Sequence, residues 1–434
     1  MKHTYLILPG CDDTNRGDQA LIWESVEIAK ESGYEGEYYM IASSENSKQS
    51  AKVGIENIEY VLPHPSTHFR NKSNIRYGKL LKLQWAIVSV FDGVKAVILL
   101  SKAGRQVAYR FGNSKLKKSL SIYEKAEIAF VKGGGFLHSY GGLVSTYKTF
   151  YDLYHIILAQ KMGIKVYVMP NSYGPFKGIG TSWMIKKVLN KCEFVSSRES
   201  VSTKALKNIG VDCQQFPDLA FYLSLDADLS NAQKIKLEKI PFRDRKCVGI
   251  TMRPYRFPGF SNPDQAYHNY KKVFCKFIKY LNSKGYFPVL IEHTYSDTEH
   301  ERDLSCINDV VSMLNDSCEY AVYSDLSLNC RQLKYVYSQF DFIIGTRFHS
   351  VIFSLAAEVP SIALTYGGNK GEGIMKDIGL SEFAIPITDI SEKKLIQAFE
   401  KLELETDEIK LKIGKYLDLL AEKRRGLLKQ LRRE

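Results

Sequence analysis

Several common chemistries are missing from this chain of 434 residues. Its eight cysteines, Cys11, Cys192, Cys213, Cys247, Cys275, Cys306, Cys318 and Cys330, form no C-x-x-C pair and no zinc-like spacing. That pattern favours reduced, structural thiols over disulfides or a metal cluster. His293 and His300, in EHTYSDTEHERD, match no common metal-site spacing and read as a solvated loop and helix start. The triple glycine of FVKGGGFLHSYGG is followed by no G-K-[ST] and does not fit G-x-G-x-x-G, so neither a P-loop nor a dinucleotide fingerprint is present there. Internal repeats and low-complexity tracts are absent. The opening MKHTYLILPGCDD has a short apolar run that ends in polar residues rather than a small-residue cleavage site, so no signal peptide and a cytoplasmic location are expected.

Acidic residues are scarce in one place. Between Pro65 and Ile122 the chain carries twelve basic residues and a single acid, Asp92, which accounts for almost all of the formal net charge of +12. The middle of this segment, LQWAIVSVFDGVKAVILLS, is strongly apolar, but Asp92, Gly93 and Lys95 at its centre make a spanning helix costly. Two readings remain: a basic amphipathic helical insertion meeting an anionic membrane surface or an acidic acceptor, and an ordinary lysine-rich face packed on its domain. No zinc finger, RNP or helix-turn-helix signature accompanies the charge, so nucleic acid is not an expected partner.

At this length two domains of about 200 residues each are expected. Apolar runs alternate with helical patterns: TYLILPG reads as a strand, and QALIWESVEIAKESG as a helix with Ile22, Val26 and Ala29 on one face. EIAFVKGGG, KVYVMPNSYGP and CEFVSSRES continue the series. After a polar linker over 226–245, KCVGITMRPY, YFPVLIEH, FDFIIGT and VPSIALTYG begin a second one. The pattern predicts an α/β protein of two Rossmann-like, doubly wound domains facing a cleft, over 1–225 and 246–400, with a basic helix over 401–434.

In open α/β sheets ligands gather at the carboxyl ends of strands, which is where the unusual residues fall. Asn15, Gly17 and Asp18 follow the first strand, with Asp18 a natural N-cap. Gly133, Gly134 and Gly135 remove three side chains in succession, so that backbone N–H groups can approach a ligand; His138 and Tyr140 lie just beyond. In FIIGTRFHS, Arg347 and His349 occupy the first turn of a helix at a strand end. The exposed N–H groups and the dipole there attract an anion, and arginine adds a fork matched to carboxylate or phosphate. That field should depress the imidazole pKa in the empty site; a multiply charged anion would raise it again and leave the ring ready to act as an acid.

NRGDQAL, VKGGGFLHSYGG, SSRESVSTKALKNIGV with FPDLAFYL, GITMRPY and GTRFHSVIFSLAAEVPSIALTYGGNKGEGIMKDIGL occur in an order and spacing that resembles the polysaccharide pyruvyl transferases, from about residue 5 to about residue 380. The basic 65–122 region and the tail match no motif of that family. The resemblance implies a two-domain build similar to GT-B glycosyltransferases, with no bound metal or cofactor in the chemistry. It further implies transfer of the enolpyruvyl skeleton of phosphoenolpyruvate onto two hydroxyls of a saccharide acceptor, soluble or lipid-linked, giving a pyruvate ketal. By the same analogy Arg347 and His349 are the family's Arg-x-His, and Arg253 or Arg256 is a second anion-binding arginine. The base for the sugar hydroxyls stays open between the departing phosphate, Asp18 and Glu372. The competing readings are a glycosyltransferase using a nucleotide sugar and a non-catalytic glycan or membrane-surface binding protein.

Overall fold

The computed structural model describes residues 2–42, 47–63, 79–142, 145–296, 301–314, 318–367 and 370–433. Among the described residues fourteen strands form two parallel sheets. The first holds β1 (Thr4–Leu8), β2 (Glu37–Ile41), β3 (Ile55–Ile58), β4 (Ile128–Val131), β5 (Gly134–Tyr140), β6 (Lys165–Lys177), β7 (Phe194–Ser197) and β8 (Gln214–Gln215), in the order β3-β2-β1-β4-β6-β7-β8 with β5 also paired to β6. The second holds β9 (Cys247–Thr251), β10 (Phe287–Ile291), β11 (Ala321–Tyr323), β12 (Phe342–Gly345), β13 (Ser361–Thr365) and β14 (Ala384–Pro386), in the order β11-β10-β9-β12-β13-β14.

Strands buried on both faces need apolar residues at every position, and β1 shows it. Tyr5 and Ile7 enter one core with Phe130, while Leu6 and Leu8 enter the other with Ala129 and Val131. Each strand order reverses beside its first strand, which opens a crevice at the carboxyl ends of β1 and β4 and of β9 and β12. The two crevices face one another. Contacts from one domain to the other hold them there: Arg16 donates to the Leu326 carbonyl at 2.7 Å, Ser200 hydroxyl to Asp377 at 2.6 Å, and Asn15 pairs with Thr294 in an antiparallel bridge.

The helix Asn231–Glu238 lies between the sheets in sequence, and the last helix, Thr406–Leu431, returns to the first domain. Its Ile409, Ile413, Leu420, Leu427 and Leu431 are buried, Arg424 pairs with Glu31 at 2.6 Å, and the Arg433 amide donates to the Ser32 carbonyl. The basic tail is therefore a strap across the molecule, its apolar side already used in packing. Between β3 and β4 the basic region contributes three helices, Lys79–Leu99, Lys102–Phe111 and Ser114–Lys125; residues 64–78 lie outside the described residues.

Candidate functional site

Register places the two arginines of the second domain side by side. Gly345 of β12 is opposite Thr251 of β9, so the chain leaves adjacent strands two residues before Arg347 and two before Arg253. The turn is pinned to β9: the Thr346 amide and hydroxyl both donate to the Thr251 carbonyl, and Ser350 and Thr251 hydroxyls lie 2.8 Å apart. Arg347 is the residue before the helix Phe348–Leu355, and His349 is in its first turn, beside N–H groups that have no carbonyl four residues back.

Arg347 and Arg253 are not held alike. The Arg347 guanidinium donates to Asp303 at 2.7 Å and to the Glu301 carbonyl at 2.7 Å. Burial alone would lower its pKa, but the Asp303 carboxylate reverses the effect and raises it, so the charge is permanent. Arg253 donates to the Tyr366 hydroxyl at 2.7 Å and stacks its guanidinium 4.6 Å from that ring's centre. Among the described residues no carboxylate forms an ion pair with it.

In the first domain the loop after β1 folds around Asn15, whose side chain accepts from the Gly17 and Asp18 amides and so caps the helix Arg16–Glu31. The cap is Asn15 rather than the expected Asp18. Asp18, in the helix's first turn, instead forms an ion pair with Lys132, the residue just before the triple glycine. Burial would raise Asp18, but the Lys132 ammonium outweighs it and holds the carboxyl down at about 2. A carboxylate so stabilised is a poor proton acceptor. Burial would likewise lower Lys132, and Asp18 raises it above the usual lysine range.

Gly17 has a steric purpose that capping does not explain. A Cβ there would stand 2.1 Å from His349 Nδ1, so only glycine lets the first domain close onto that imidazole. Gly134 adopts φ +144° at the start of β5, a backbone region that side chains rarely enter. The buried Asn171 amide holds this loop by donating to the Lys132 carbonyl at 2.7 Å.

These groups surround a cavity of about 330 Å³ between the domains. Its wall includes Asn15, Asp18, Gly134, Gly135, Arg253, Arg347 and His349 from the sequence reading. Gly17, Gly133 and His138 are not in it. A Cβ at Gly133 would meet the Pro170 carbonyl at 2.9 Å, so that glycine serves packing; His138 Nδ1 lies 3.0 Å from the Gly135 carbonyl and its ring beside Tyr140. Glu372 is exposed on the helix Lys370–Ile378, outside the cavity wall.

Wall residues that escaped the sequence reading include Lys132, Arg198, His293 and Tyr366. Arg198 follows β7 and forms a fully buried ion pair with Asp218. His293 follows β10 and is buried, not part of a solvated loop; its Nδ1 is 3.1 Å from the Tyr337 hydroxyl. Burial, then the charges of His349 and Arg347, push its pKa well below the ordinary histidine range, so it is neutral. His300 lies outside the described residues. Lys132, Arg198 and Tyr366 follow directly on strands and His293 comes one residue later, and that position was the available signal. Among the described residues no group of three or more His, Cys, Asp or Glu side chains could hold a metal ion.

Lining the cavity, Lys132, Arg198, Arg253 and Arg347 stand against one carboxylate, Asp18. Two Rossmann-like parallel-sheet domains facing one another across a cleft at their strand ends make this a GT-B-like fold. The same fold is seen in the UDP-GlcNAc 2-epimerase of Neisseria meningitidis bound to UDP-GlcNAc, at 12% identity and TM-score 0.56 with 99% of each chain covered. Anabaena HepE in complex with UDP-glucose is similar at 8% identity and TM-score 0.54, covering 99% of this chain and 98% of the other. The chain belongs to the polysaccharide pyruvyl transferase family, whose model matches residues 15–368. It is similar to the amylovoran biosynthesis protein AmsJ of Erwinia amylovora, 25% identical over 318 residues that cover 64% of this chain and 75% of the relative.

Proposed function

We propose that the protein transfers the pyruvyl group of phosphoenolpyruvate to two hydroxyls of one sugar in a polysaccharide precursor, forming a pyruvate ketal. The observation that carries the reading is the set of four cations around a cavity that also holds His349. Phosphoenolpyruvate carries a carboxylate and a phosphate, and forked donors from Arg253 and Arg347 suit both. Family membership and the likeness to AmsJ support the polysaccharide setting.

The balance of the reaction assigns the work. Two C–O bonds form at the enol carbon, its bond to the phosphate oxygen breaks, and the two hydroxyl protons end on the methylene carbon and on inorganic phosphate. His349, in the cavity wall, is the proton donor to the methylene carbon. The cations stabilise the departing phosphate, and with Asp18 neutralised by Lys132 and Glu372 outside the cavity, that phosphate is the base for a hydroxyl.

Thermal melts with phosphoenolpyruvate, followed by mass spectrometry of galactoside, mannoside and amino-sugar acceptors, test the reading. At a hundredfold over its dissociation constant a ligand of the folded state stabilises by about 2.7 kcal/mol, an observable rise in melting temperature. His349→Ala should keep that rise and lose about a hundredfold to ten-thousandfold in turnover. A melt that responds to a nucleoside diphosphate sugar but not to phosphoenolpyruvate overturns the proposal in favour of glycosyl transfer.

A further inference from the structure

The helix Lys79–Leu99 is apolar on two sides. Its inner side belongs to the domain: Ala96 and Leu99 are buried, the Tyr154 hydroxyl donates to the Ala96 carbonyl, and the Tyr147 ring stands 3.8 Å from where a Gly93 Cβ would be. Its outer side carries Leu83, Ile87, Val90, Phe91, Val94 and Val97, each at least half exposed. They recur at three- and four-residue intervals, which puts them in one stripe along the helix. At about 1.5 Å per residue the stripe from Leu83 to Val97 is roughly 21 Å long. Uncovered apolar stripes of this size mark contact surfaces.

The next helix, Lys102–Phe111, bends away by 112° and adds Val107 and Phe111, which is 76% exposed. No single described helix is long and apolar enough to cross a membrane. Packing on the inner side also keeps Lys79–Leu99 on its domain, so its outer face can lie in an interface but the helix cannot leave to span one.

We propose that this outer face inserts into the interfacial layer of an anionic lipid bilayer and holds the protein there. Charge decides between a bilayer and a second copy of the chain. Lys95 on this helix and Lys102, Arg110, Lys115 and Lys118 on the two helices that follow it are exposed, while from Leu83 to Lys118 the sole acid is Asp92. Two such faces would repel each other; an anionic surface attracts both the stripe and its basic border. The location suits a membrane-held acceptor: β5 runs from the cavity glycines to Tyr140, and the helix that follows, Ser145–Lys161, carries Tyr147 against the stripe helix. The inference is independent of the donor chemistry, because it concerns binding alone.

The test is sedimentation of the full chain with vesicles of phosphatidylcholine, alone or mixed equally with phosphatidylglycerol, beside sedimentation equilibrium without lipid. The wild type should bind the anionic vesicles and keep part of that binding at high salt, since the apolar contribution is not screened. The triple variant Val90→Asn, Phe91→Ser, Val94→Asn alters only exposed side chains, and should retain its melting temperature while its partition coefficient falls on the order of a hundredfold. In Val94→Trp, added brominated lipid should quench the new fluorescence. Failure of the wild type to bind either vesicle overturns the proposal. So does a dimer that the triple variant dissolves, which would assign the stripe to a second copy.

Discussion

Four cations face one cavity, but they are fixed in two different ways. Lys132, Arg198 and Arg347 are each paired with a carboxylate, Asp18, Asp218 and Asp303 respectively. Arg253 is fixed by the hydroxyl and ring of Tyr366. A buried pair places a charge rigidly but gives up much of its field to its partner, and a stacked guanidinium keeps its charge available. The three pairs are therefore scaffold as well as site, and Arg253 is the cation whose charge is left for the ligand.

The largest effect that can break this contrast is on stability. Arg198→Ala leaves Asp218 buried and unpaired, and should cost about 3–5 kcal/mol, whereas Arg253→Ala should stay within about 1 kcal/mol. Urea unfolding of both variants checks it; equal losses would show that Arg253 is scaffold too. Next in size is affinity. Arg253→Lys keeps the charge and loses the fork, so the phosphoenolpyruvate dissociation constant should rise by about tenfold in calorimetric titration, with the melting temperature unchanged.

The Lys132–Asp18 pair sharpens the comparison through pH. Asp18 is held at about 2 in the folded protein, below its unfolded value, so its contribution is complete above about pH 4 and is lost as pH falls toward 2. Asp18→Asn should flatten the acid limb of the stability profile in that window and leave the limb above pH 5 parallel to the wild type. The smallest effect is backbone strain: Gly134→Ala at φ +144° should cost on the order of 1 kcal/mol in thermal unfolding, with no change in the number of cations facing the cavity.

Much of the fold was legible because parallel strands buried on both faces leave continuous apolar runs, and turn residues mark where they end. TYLIL, FIIG and SIALT each appear as strands, and the Arg-x-His falls at a helix start as its placement after FIIG required. Strand ends also pointed to Asn15, Gly134, Gly135 and Arg347, and the family resemblance added Arg253. They did not show which neighbours would pair. Lys132 and Arg198 were not singled out, because their carboxylates are 114 and 20 residues away in the chain. His293 looked solvated because its polar neighbours in sequence hid a burial that comes from Tyr337 and Phe353 of other helices.

Composition and periodicity by themselves pointed to two parallel α/β domains, to anion-binding residues at strand ends, and to a basic helical insertion in the first domain. Those properties follow from local spacing, which repeats every two residues in a strand and every three to four in a helix. Tertiary structure alone decided that Gly17 admits His349, that Asp18 is spent on Lys132 rather than free to take a proton, and that the apolar stripe of Lys79–Leu99 is left uncovered. Each depends on the distance between groups far apart in the chain. Coulomb attraction and steric exclusion act through space, and sequence order alone does not fix those separations.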